Sequence, residues 1–190
     1  DSALNQLDAK YKKLNCGLEP LSHSSAEYKD LMKIINMDIK ALSNSWWGTS
    51  KKTVLDGFKI DREGEAKKYK KNIGNRKLLW HGSTFSNWGG ILSQGLRIAP
   101  PEAPCCGYAF GKGVYFADSI DKSAGYTRYG CSNNIGLLAL CDVAVGETNN
   151  VHNCDSSLNL KNLPKGTNST LGVGQYMPSN SKKLNGAELQ

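Results

Sequence analysis

An imidazole, a glycine and a hydroxyl follow one another at the end of an apolar run, Leu78-Leu79-Trp80-His81-Gly82-Ser83. Glycine lets a ligand come close to the backbone, and the flanking His and Ser add directional hydrogen bonds. A second segment runs Phe110-Gly111-Lys112-Gly113-Val114-Tyr115-Phe116-Ala117-Asp118 and is followed by Lys122-Ser123-Ala124-Gly125-Tyr126. Tyr115 leaves a short strand and Tyr126 lies on the helix after it. Two tyrosines so placed can hold a planar ring between them. Together the residues suit a flat ligand with hydrogen-bonding edges. Each segment alone reads equally well as ordinary structure: a histidine at a strand end, aromatics in a core.

Other chemistries fail on spacing. Gly111 and Gly113 belong to neither G-x-x-x-x-G-K-[ST] nor a G-x-G-x-x-G after a strand, which excludes phosphate-loop and dinucleotide-fold readings. The six Cys are Cys16, Cys105, Cys106, Cys131, Cys141 and Cys154, and none has a C-x-x-C partner or a context that would activate it. His152 and Cys154 stand two apart with no second pair at ligand spacing, so no metal is expected. Six Cys in 190 residues are too few for a disulfide scaffold, which favours a reducing compartment. The chain has 24 Lys+Arg against 17 Asp+Glu, a net charge of +7, and so favours anionic partners. The densest basic run, Lys67-Lys68-Tyr69-Lys70-Lys71, reads first as a solvated face. No run approaches 18 consecutive apolar residues, so no membrane partner is expected. The first residues carry neither a signal-peptide apolar region nor a Met, so the chain is expected to be a piece of a longer one.

The elements that must position these groups follow from periodicity. Leu4, Leu7, Tyr11 and Leu14 mark the end of a helix. Ser24 and Glu27 form a capping box before an amphipathic helix over 25–42, whose stripe is Leu31, Ile34, Ile35, Ile39 and Leu42. Leu55 to Ile60 alternates as a half-buried strand, and Lys77 to Gly82 is a second. Ser86 can cap a short helix that Gly95 closes. The stretch 97–113 is a long Pro- and Gly-rich loop. Gly113 to Ala117 reads as a strand, Asp118 as the cap of a helix reaching Tyr126, and Ile135 to Val145 as the best buried strand. Helices early and strands later give an α+β fold with a mostly antiparallel sheet.

Leu78 to Ser83, Asn87 to Pro104, Gly107 to Asp118 and Lys122 to Tyr126 together closely resemble the catalytic domain of the poly(ADP-ribose) polymerases, in its nuclear, DNA-damage-responsive branch. Phe58 to Glu65 and Leu163-Pro164-Lys165-Gly166 fit it too, so the resemblance covers about 8–190. It implies an ADP-ribosyltransferase-like α+β fold, with mostly antiparallel sheets and short flanking helices. It also implies that 1–16 are the tail of a regulatory helical subdomain and that 17–190 are a catalytic domain lacking its C-terminal strands. NAD+ would be the substrate, with no metal. Acceptor proteins, the enzyme itself included, would be partners, and DNA would act only through regions outside this chain. The location would be nuclear.

The same resemblance assigns roles. His81 would bind the adenosine ribose. Gly82 and Ser83 would hold the nicotinamide carboxamide, by backbone and by hydroxyl. Tyr115, the second signature residue, and Tyr126 would flank the nicotinamide ring. Asn87, Arg97 and Ala99 would line the adenosine side, and 100–113 would form the loop over NAD+. Tyr108, Phe116, Ala117, Lys122 and Ser123 complete the implied pocket. Two positions depart from the family: Cys105-Cys106 stands where Val-Thr is usual, and Thr84 follows H-G-S in place of a basic residue.

Breaking the glycosidic bond to nicotinamide passes through an oxocarbenium-like state, which needs a nearby carboxylate. The family supplies it from a Glu in an Asn-Glu-Tyr strand. That motif does not occur in these 190 residues, and neither Glu188 nor Glu147 stands in its context. The expectation is therefore an NAD+-dependent transferase. The alternative is an NAD+-binding fragment or an inactive homologue without the catalytic Glu. A basic nucleic-acid-binding module is a third reading, resting on net charge alone.

Overall fold

A computed structural model describes residues 5–41, 52–98, 108–159, 161–174, 182–184 and 187–189. Helix α1 (Gln6–Lys12) leads into strand β1 (Cys16–Pro20) and the long helix α2 (Ala26–Ala41). Strand β2 (Phe58–Arg62), the short helix α3 (Glu65–Lys68) and strand β3 (Arg76–Ser83) follow. Then come α4 (Trp88–Gln94), α5 (Ile120–Gly125), β4 (Leu137–Ala144), β5 (Thr148–Val151), β6 (Ser169–Gly172), β7 (Lys182–Leu184) and β8 (Ala187–Leu189).

The central sheet has the order β4-β3-β8-β7. Strand β3 runs antiparallel to β4 along its whole length, from Arg76 opposite Ala144 to Ser83 opposite Leu137. On its other edge β3 pairs with β8 in parallel, through Lys77 and Leu78 only. β1 with β2 and β7 with β8 are antiparallel, and β5 with β6 is parallel. The α+β expectation holds, with antiparallel pairing predominant.

The core sits where α2 and α5 cross the sheet. Ile34 and Ile35 of α2 pack with Leu78 and Trp80 of β3, Ile120 of α5 and Ala187 of β8. Two residues of the expected α2 stripe are thus in the core, and Leu31 packs at its edge. Leu42 lies outside the described residues. Behind the core, Lys52 forms an ion pair with the buried carboxylate of Asp121, tying the segment before β2 to α5.

Local chemistry corrects several boundaries. The cap of α2 is Ser25, whose Oγ accepts the Tyr28 N–H at 3.1 Å, while Ser24 Oγ turns to Ser22 Oγ. Strand β2 starts at Phe58, and Phe58 and Ile60 are exposed because β2 pairs only with β1 in a two-stranded ribbon. The apolar side of α1 is exposed too, and the helix buries no residue. α4 follows a 3-10 turn over Phe85–Asn87 and no Ser86 hydroxyl caps it, but Gly95 does close it, at φ 79°. The cap of α5 is Ser119, whose hydroxyl accepts from the Lys122 N–H, and not Asp118. β4 falls inside the expected run but is only half-buried.

Candidate active site

The site is built at the far end of β3, where the sheet loses its second neighbour. β8 leaves after Leu78, and a single bridge takes its place: Trp80 and Ala117 exchange backbone hydrogen bonds of 2.7 and 2.9 Å. Gly113 to Ala117 forms no strand, because only this bridge holds it. The bridge fixes directions. If the Trp80 amide and carbonyl point away from β4, those of Gly82, two residues on, do so as well. Among the described residues no backbone bond joins Gly82 to Tyr115, which comes next in the antiparallel order. One donor and one acceptor of Gly82 therefore face the gap where the two chains part.

Side chains on β3 alternate between faces. Trp80 and Gly82 face α5. Gly82 has no room for a side chain there, because a Cβ would overlap the Ser123 carbonyl and meet Leu138 at 3.1 Å. Leu79, His81 and Ser83 share the opposite face. The Ser83 hydroxyl oxygen accepts from Asn87 Nδ2 at 3.0 Å, which leaves its proton for a ligand oxygen. The Ser83 carbonyl accepts from Nε1 of the buried Trp88 at 3.2 Å.

His81 Nδ1 lies 2.8 Å from the Tyr115 carbonyl oxygen. A carbonyl only accepts, so Nδ1 carries the proton and Nε2 presents its lone pair. Burial pushes the imidazole below its ordinary value of 6.5, and the bond to Tyr115 opposes this only in part. The Phe116 ring stands edge-on to the imidazole at 5.9 Å. His81 is thus held neutral, in one tautomer, as a hydrogen-bond acceptor.

The Tyr115 hydroxyl is not available to a ligand. It accepts the Phe110 N–H at 3.0 Å and donates to the Gly111 carbonyl at 2.5 Å, which leaves the ring as a wall and makes the phenol a fastener for the loop. Burial raises its pKa, against the Phe110 N–H; Tyr108, Tyr126 and Cys154 are near enough to raise it further. Gly111, at φ 76°, packs so closely on Leu158 that only glycine fits, which seats the loop against the stretch 155–159.

The structure thus links His81 to Tyr115 and Phe116, Ser83 to Asn87, and Ala117 to the strand that carries Gly82, with Tyr108 and Tyr126 near Tyr115. Tyr126, at the C-terminal end of α5, is 56% exposed, so its ring is open to a partner. Ser123 is different: it is buried and its hydroxyl donates to the Trp80 carbonyl at 3.0 Å, so it supports the strand from behind. Lys122 is exposed on α5, and Arg97 is exposed beyond α4. Ala99 and 100–107, including Cys105 and Cys106, lie outside the described residues. Trp88 and Ser119 were not singled out by sequence reasoning. Trp88 sits beside Asn87 in the matched segment, so its place there was a signal; a capping serine next to an aspartate gave none.

A neutral acceptor at Nε2 has a pH signature. Ligand affinity is expected to stay level as pH falls from 8 through 6.5 and to drop only at lower pH, when protonation converts the acceptor to a donor. Stability follows the same sign. It is complete above 6.5, where folded and unfolded chains are both neutral at this residue. It is lost as pH falls below 6.5 toward the lower folded value, because the unfolded chain takes up the proton first. Calorimetric titration between pH 5 and 8 checks this; a midpoint at or above 6.5 would contradict the burial-lowered titration of His81.

The α+β fold fits an ADP-ribosyltransferase-like catalytic domain. The poly(ADP-ribose) polymerase catalytic domain matches residues 25–189, and the chain belongs to that family. It is 48% identical to poly [ADP-ribose] polymerase 2-A of Oryza sativa subsp. japonica over 93% of its length, covering 26% of that protein. It is 45% identical to poly [ADP-ribose] polymerase 1 of Arabidopsis thaliana over 93% of its length, covering 18% of that protein. With poly [ADP-ribose] polymerase 2 of Homo sapiens it shares 43% identity over 95% of its length, covering 30% of that protein. The chain thus spans less than a third of the length of these curated relatives.

Proposed function

We propose that this chain forms the NAD+ site of a poly(ADP-ribose) polymerase, an enzyme that transfers ADP-ribose to protein acceptors and releases nicotinamide. Carrying this reading is the placement of Gly82. Its outward amide and carbonyl can pair with both edges of a carboxamide, beside the Ser83 hydroxyl, with the Tyr115 and Tyr126 rings flanking the nicotinamide. His81 Nε2 can accept a ribose hydroxyl. Pinning the leaving group and the sugar at once favours the geometry in which the glycosidic bond breaks. Residues 1–16 would be the tail of a helical regulatory subdomain, consistent with the exposed apolar side of α1. No helix among the described residues is long and apolar enough to cross a membrane. A nuclear location, protein acceptors and a DNA-dependent signal acting through other regions complete the reading.

Binding tests it. Tyr126→Ala is expected to weaken binding of nicotinamide-like ligands by about 1–3 kcal/mol, through lost stacking and apolar contact. Ser83→Ala is expected to cost about 1 kcal/mol, and more if the carboxamide oxygen stays buried and unpaired. Wild-type affinity in both variants by calorimetry would overturn the pocket.

A further inference from the structure

The basic run noted in the sequence has no part in the NAD+ site. Lys67, Lys68, Lys70 and Lys71 are all exposed, while Tyr69 between them is turned inward. The Tyr69 hydroxyl donates to Asp142 Oδ1 at 2.7 Å and accepts from Arg76 Nε at 3.3 Å. Arg76 in turn forms an ion pair with Asp142. Just beyond, Asn75 Nδ2 donates to the Gly146 carbonyl at 2.8 Å, and the Gly146 N–H donates to the Gly74 carbonyl at 3.2 Å. The lysines are therefore displayed from backbone tied to the sheet at Tyr69 and again at Gly74 and Asn75, not from a loose loop.

Two of the neighbouring acids are already matched. Asp142 serves Arg76 and Tyr69, and Glu65 bonds to Arg62 at 2.9 Å. None of the four lysines forms an ion pair among the described residues, and Lys71 only feels Asp142 at longer range. The C-terminal dipole of α3 favours Lys67 and Lys68 but is weak in a helix of four residues. Four like charges fixed together repel one another in the free protein, and a multivalent anion relieves that. With Tyr69 occupied, the patch offers no ring on which bases could stack, so phosphates are what it can recognise.

We propose that Lys67, Lys68, Lys70 and Lys71 form a docking surface for ADP-ribose polymer, held through its pyrophosphates. Each pyrophosphate carries two charges on adjoining phosphates, a denser local charge than the singly charged phosphates along a nucleic-acid strand, and four exposed lysines within five residues favour that density. The choice of polymer rests on the proposed function. Tyr69 ties the patch to Arg76 at the entry of β3, and Ser83 ends the strand seven residue steps on, about 23 Å along it. A polymer growing at the site would meet the lysines as a tethered partner at high effective concentration.

The test is fluorescence anisotropy of labelled, size-selected ADP-ribose polymer with the full 190-residue chain and no NAD+ present. The comparison ligand is single-stranded DNA of equal charge. Four neutralised phosphates give a log–log salt slope near −3, or about a 50-fold loss of affinity between 50 and 200 mM salt. The variant carrying K67Q, K68Q, K70Q and K71Q is expected to bind polymer more than tenfold more weakly, with a nearly flat salt dependence. A control with Lys10, Lys12, Lys13 and Lys161 changed to Gln loses the same charge and is expected to bind as wild type. Equal losses in both variants would reduce the effect to net charge and overturn the proposal, as would DNA binding as tight as polymer binding. Because NAD+ is absent, failure of the NAD+ reading leaves this result untouched, and failure here leaves the NAD+ site standing.

Discussion

Alanine at position 82 is expected to abolish measurable nicotinamide binding and to destabilise the fold by about 1–3 kcal/mol. The added Cβ would overlap backbone, the Ser123 carbonyl, and not the free end of a flexible side chain. Helix α5 would have to move. Ser123, which bonds to the Trp80 carbonyl, and Tyr126, at the end of the same helix, would move with it. One methyl group would thus disturb both the backbone pair that meets the carboxamide and the ring that covers it. Gly89→Ala and Gly90→Ala provide the contrast. Both glycines lie in α4 with open space where a Cβ would go, and alanine there is expected to be neutral or to stabilise by about 0.5–1 kcal/mol. Thermal unfolding and calorimetry on the three variants decide the matter. Gly82→Ala with wild-type affinity would show that α5 does not define the gap.

The centre of this site was legible because its chemistry is local. An apolar strand ending in His-Gly-Ser and an aromatic segment entering a helix are short-range patterns, and β3 and α5 formed within a residue or two of expectation, although Gly113 to Ala117 is held by a single bridge and is not the expected strand. What was not legible depends on distant neighbours. Phe58 and Ile60 alternate as a buried strand would, but no layer covers the β1–β2 ribbon. Ala187 is fully buried under α2 and α5, yet a lone alanine in a Gly- and Asn-rich stretch carries no periodic signal. The parallel pairing of Thr148–Val151 with Ser169–Gly172 joins segments too polar to announce a strand. Tyr115 and Ser123 show the same limit inside the site. Their types and spacing point to a pocket, whereas only the fold turns the Tyr115 hydroxyl to Phe110 and Gly111, and the Ser123 hydroxyl to Trp80.

Turnover should separate binding from transfer. Nicotinamide release by these 190 residues is expected to run on the order of 100- to 1000-fold below that of the same residues joined to an Asn-Glu-Tyr strand, the effect of losing one charge-stabilising group. The register of the sheet argues against a substitute among the glutamates weighed above. Glu188 pairs with Lys77, four residues before His81 on β3, which is about 13 Å along the strand. Glu147 follows the end of β4 that lies beside Arg76, the far end of the sheet from His81 and Ser83. A carboxylate must stand close to the ribose to stabilise developing positive charge, because the attraction falls with distance and water screens the remainder. Glu147→Gln and Glu188→Gln are therefore expected to leave the residual rate unchanged, while NAD+ affinity stays that of the unaltered chain. Labelled NAD+ measures both steps, by nicotinamide released and by ADP-ribose incorporated into protein. Full elongation by the 190 residues, abolished by either Gln substitution, would place the acid where the register says it is not, and the assignment of β3 as the strand that faces the ribose would fall with it.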